Sequence, residues 1–119
     1  MLRRIVLLAL AAAEPTIPPL KWAQTEDAIY ISVHATLDFE SVVVESPSLE
    51  RVTFSATGAT RDARAYAFDL LLREDVSPSA TRWRRECAGG CHVLITLEKA
   101  HGGHFFDRLL AVPVEARPE

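Results

Sequence analysis

A chain of 119 residues with a net charge of −3, 49% hydrophobic and 24% charged, has the length and balance of one globular domain, with little room for a separate catalytic lobe. That charge gives no long-range pull toward nucleic acid or an anionic membrane surface, which argues against polyanion partners. The expected division is an N-terminal segment over 1–18, one domain over 19–111 and a short C-terminal tail over 112–119.

Met1 to Ala13 begins with Arg3 and Arg4, runs through the apolar stretch Ile5 to Leu10, and ends in Ala11, Ala12 and Ala13 before Glu14. The stretch is far below the roughly 20 residues that cross a bilayer, so no membrane span is expected. Its order fits a secretory signal. With two arginines and no acid before Glu14 it fits a mitochondrial presequence equally, and a disordered or locally packed tail of a cytosolic protein is the third reading. The compartment stays open among these.

Beyond Glu14, the seven prolines and five glycines fall between apolar alternations. Proline cannot donate to a central ladder and glycine marks turns, so the segments between them read as strands. Leu20 to Gln24 is a short first strand. Ile29, Ile31, Val33, Ala35 and Leu37 alternate with Tyr30, Ser32, His34 and Thr36 as one half-buried strand. Ser41 to Glu45 is short again. Val52, Phe54 and Ala56 oppose Thr53, Ser55 and Thr57; Tyr66, Phe68, Leu70 and Leu72 repeat the period. Trp83 to Cys87 turns through Ala88-Gly89-Gly90 into a last strand with Val93, Ile95 and Leu97 on one face and His92, Thr96 and Glu98 on the other. The sum predicts an all-β, seven-stranded antiparallel β-sandwich over Leu20 to Leu110, with no internal repeat.

Little in the sequence offers reactive chemistry. No nucleophile elbow, phosphate loop or dinucleotide fingerprint is present, so no enzyme and no cofactor are expected. Cys91, His92, His101 and His104 match no closed zinc spacing, and the histidines read as loop and surface residues. Cys87 and Cys91 flank a three-residue turn, where facing strand positions approach disulfide geometry. A bridge is expected if the N-terminal segment is a signal, and two ordinary thiols in a reducing compartment. Arg82, Arg84 and Arg85 around Trp83 read as a solvated face, with a basic docking patch for an acidic partner as the minor alternative.

Pro19-Leu20-Lys21-Trp22-Ala23-Gln24-Thr25, followed by Ile29 to Val33, resembles the opening of the CS domain family found in co-chaperones. Asp75-Val76-Ser77-Pro78 resembles the family's loop after its long fifth strand. Leu97-Glu98-Lys99 and Phe106-Asp107-Arg108-Leu109 are similar to its closing elements, with Phe106 standing where the family has tryptophan. The resemblance implies a sandwich related in architecture to that of α-crystallin. It implies a monomer that binds a heat shock protein 90 family chaperone in its ATP-bound state, and a cytoplasmic location. The acidic, aromatic tract that carries client holding in the family does not follow in this sequence.

The resemblance implies partner contacts at Trp22, Lys99, Phe106, Arg108 and Leu109. Trp22 can equally cap the sandwich edge. Lys99 is expected to leave the last strand on the outward register, either as a solvated strand-end charge or paired with a partner carboxylate. Phe105 and Phe106 are consecutive in a glycine-led loop, so one ring should be exposed, and the family match selects Phe106. A CS-fold adaptor for another protein is one alternative. The other is a small-heat-shock-like holdase, on the apolar-x-apolar form of Val112-Pro113-Val114.

Overall fold

Runs with period-two alternation become strands throughout the computed structural model, which describes residues 15–59, 61 and 63–111 and has no α-helix among them. The strands are β1 (Leu20–Gln24), β2 (Ala28–Val33), β3 (Leu37–Ser48), β4 (Arg51–Gly58), β5 (Ala65–Leu71), β6 (Arg82–Cys87) and β7 (Cys91–Glu98), with one 3-10 turn at Pro78–Ala80. They form two antiparallel sheets, one of four strands in the order β1-β2-β7-β6 and one of three in the order β3-β4-β5. The signal-like Met1 to Ala13 and the tail from Val112 lie outside the described residues.

The two sheets share one core, a β-sandwich-like arrangement. Ile29, Ile31 and Val33 of β2 meet Val93, Ile95 and Leu97 of β7 in register, all six fully buried. From the other sheet come Val52, Phe54, Ala56, Phe68, Leu70 and Leu72. Phe54 and Phe68 are register partners, and their rings stack at 5.0 Å. At about 1.5–3 kcal/mol for each large apolar side chain removed from water, this cluster is the main stabilising term.

Two departures from the strand reading have local causes. The run from Ile29 to Leu37 is not one strand. β2 ends at Val33, His34 to Thr36 cross between the sheets, and Leu37 starts β3 in the other one. Ala35 and Leu37 still turn toward the core, so the burial alternation persists through a change of sheet. The short strand expected at Ser41–Glu45 is instead part of the twelve-residue β3, which contains Pro47. β3 is an edge strand, where a missing N–H costs no ladder bond, and its register shifts between Glu45 and Ser48. A second shift lies between Asp38 and Val43. There the Ser41 hydroxyl accepts from Thr57 N–H at 2.8 Å and donates to Asp38 O at 2.7 Å, replacing the interrupted ladder.

Candidate functional site

The chain leaving β7 forms a loop over the open side of the sandwich between β1 and β5. Lys99 N–H donates to Asp27 O at 2.9 Å, Ala100 N–H to Asp75 O at 3.1 Å and Gly103 N–H to Glu26 O at 3.1 Å. Gly103 has a φ of 88°, which favours glycine, and this lets the chain turn back toward β1. Farther on, Leu110 bridges to Leu72, Arg73 N–H donates to Leu109 O, and Ala111 N–H donates to Leu71 O. The loop is therefore fastened to both sheets.

Its anchor is Lys99. On β7, Leu97 points inward, and the period of two carries Lys99 to the same side. The outward position expected for it is corrected: Lys99 is only 6% exposed. Its Nζ donates to Gln24 Oε1 at 2.9 Å, Thr25 O at 2.7 Å and His104 O at 2.7 Å, which uses all three ammonium donors. The same nitrogen lies 4.8 Å from the Phe106 ring centre and 5.2 Å from that of Phe105. A buried ammonium is tolerable only when its donors are satisfied; here neutral oxygens and aromatic faces do so, with no carboxylate among its partners.

Gln24 joins the lysine to the loop. It faces Ile29 across the β1–β2 pair and so shares the inward side of the sheet. Its Nε2 donates to Phe106 O at 3.0 Å, and its Oε1 accepts from Phe106 N–H at 2.8 Å. The side chain amide thus binds the Phe106 backbone as a neighbouring strand would. Phe106 is held inside at 4% exposure and Phe105 is left 58% exposed. One ring of the pair is exposed, but the choice of Phe106 is corrected: the exposed ring belongs to Phe105.

Trp22 remains 39% exposed on edge strand β1, on the same side as Gln24. Arg108 is exposed and turned onto its own chain, with Nε donating to Leu110 O at 2.9 Å and its terminal nitrogen to Ala111 O at 3.0 Å. Leu109 is half-buried against the core. His104 pairs with Glu74 at 2.6 Å and Arg73 with Asp107 at 3.3 Å on the loop's outer rim.

The other candidates lie apart from this loop. Cys87 faces Cys91 across the β6–β7 turn, and the two are joined as a disulfide. His92 stacks on His34 with ring centres 4.9 Å apart, and Ser32 Oγ lies 2.8 Å from His34 Nε2. Burial first, then His92 and Lys21, lower the His34 pKa from its usual value of 6.5. The histidines do not converge with Cys91 on one point; among the described residues no cluster of three or more His, Cys, Asp or Glu side chains is placed to hold a metal ion. Arg84 and Arg82 pair with Glu86 and Glu98, and Arg85 lies over the Phe39 ring at 4.7 Å. No helix among the described residues is long and apolar enough to cross a membrane.

Sequence reasoning assigned no role to Gln24, Phe105 or His34. For Gln24 the signal was present, since it shares the register side of Leu20 and Trp22. No protein-family model matches the chain, and no curated protein matches it.

Proposed function

We propose that the chain is a non-catalytic adaptor, a seven-stranded CS-type sandwich that docks as a monomer on a heat shock protein 90 family chaperone in its ATP-bound state and assists protein folding or complex assembly. The observation that carries the reading is the clamp of Gln24 on the Phe106 backbone, with Lys99 holding Gln24 and the His104 carbonyl behind it. It ties together the first and the closing segments that resemble the family, and it leaves Phe105 on the loop and Trp22 on β1 exposed. Rigid aromatics with polar surroundings are the common anchors of protein interfaces, and a loop ordered beforehand loses little entropy on docking. The contact set moves accordingly: Phe105, Trp22 and Arg108 touch the partner, while Lys99 and Phe106 hold the loop from inside.

Titration calorimetry of the domain against the chaperone, with and without a nucleotide analogue that closes it, tests this. Binding is expected only with the closed form. No binding under conditions where an authentic CS co-chaperone binds would overturn the assignment of the partner.

A further inference from the structure

Cys87 and Cys91 are the last register partners of the β6–β7 hairpin, so their disulfide encloses only Ala88, Gly89 and Gly90. The turn does not need the cross-link to close. Gly89 and Gly90 have φ of 74° and 118°, which glycine adopts without strain, and Ala88 N–H donates to Gly90 O at 3.0 Å. Behind the turn the hairpin is held by register pairs down to Arg82–Thr96, with Val93 and Ile95 fully buried and Trp83 packed on the core. A bridge across so short a loop removes little conformational entropy from the unfolded chain. Both cysteines are exposed. A disulfide that the fold does not depend on and that is open to attack belongs with the labile kind, not the structural one.

We propose that Cys87 and Cys91 form a reversible thiol–disulfide couple that exchanges with an external thiol while the domain stays folded. The thiolate of the external thiol attacks one Sγ. The S–S bond breaks, the other sulfur leaves as a thiolate and takes a proton from solvent, and a mixed disulfide remains. A second external thiol resolves it, releasing the second cysteine thiol and an external disulfide. Two electrons and two protons pass to the pair, and the external thiols are oxidised. Arg85, two residues from Cys87 on the same side of β6, puts a cation on the side where the thiolate forms. The turn also walls a cavity of about 330 Å³ whose other side carries His34 and His92, so these rings report the redox state.

The protein is equilibrated with glutathione buffers of graded reduced-to-oxidised ratio, quenched with acid, alkylated and weighed, with circular dichroism and histidine ring resonances recorded in parallel. The expected result is a mass shift of two alkyl groups that follows the buffer ratio reversibly. The sheet spectrum should be unchanged and the His34 and His92 resonances should move with the shift. A bridge that yields to glutathione only after denaturant has unfolded the chain would overturn the proposal, as would a domain that unfolds on reduction. As a second check, the C87S/C91S double variant should keep the sheet spectrum and melt within a few degrees of the parent; loss of the fold would contradict the proposal.

Discussion

A lysine at the end of a strand is usually a solvated charge, and Lys99 is not. Its three donors meet Gln24, Thr25 and His104 oxygens inside the fold. Replacing it by methionine keeps the volume of the stem but strands those acceptors, so Lys99→Met should lower stability by about 2–3 kcal/mol in denaturant melts. Lys99→Arg should not rescue it, because a planar guanidinium cannot reproduce three bonds to a compact cage. The neighbouring phenylalanines separate by burial. Phe106→Ala should destabilise by about 3–5 kcal/mol, as for a core ring, whereas Phe105→Ala should leave the melting temperature nearly unchanged. The inward position of Lys99 was legible in principle, since it continues the Val93, Ile95, Leu97 register. The usual preference of charge for water argued the other way, and a cage built from residues 75 positions apart in sequence cannot be read from local pattern.

At the scale of elements, alternation located β4 and β5 because each has one face on the core and a more exposed one opposite, and β7 because its core face is wholly apolar while the other carries His92, Thr96 and Glu98. It could not show where the chain changes sheets. Ala35 and Leu37 keep the parity of Ile29 to Val33 although the strand ends at Val33. Pro47 read as a break because proline is excluded from central strands, but β3 lies at an edge. The bulge in β3 depends on one hydroxyl. Ser41→Ala leaves Thr57 N–H without its acceptor, and a loss of about 1–3 kcal/mol is expected, measurable by chemical denaturation together with faster amide exchange at Thr57.

For the whole molecule, pH enters through the β2–β7 end of the four-stranded sheet. His34 has a folded pKa below its usual 6.5, because burial, His92 and Lys21 all oppose its charge. The unfolded chain therefore binds the proton more readily. The contribution of His34 to stability is present in full above pH 6.5 and is lost as pH falls through its folded value, and it is small because the ring is exposed. A ring titration followed by nuclear magnetic resonance should place the His34 midpoint below 6.5, and His34→Gln should flatten the acid side of the stability profile.

The proposed docking depends on an ordered aromatic loop presented to the chaperone, with Lys99, Gln24 and Phe106 as its internal support. The most direct measurement is the affinity of Phe105→Ala for the closed, nucleotide-bound chaperone, by calorimetry beside the parent domain. Loss of an interface anchor is expected to cost at least about 2 kcal/mol, or roughly thirtyfold in Kd, with the melting temperature unchanged. Equal affinity of the variant and the parent would contradict the account.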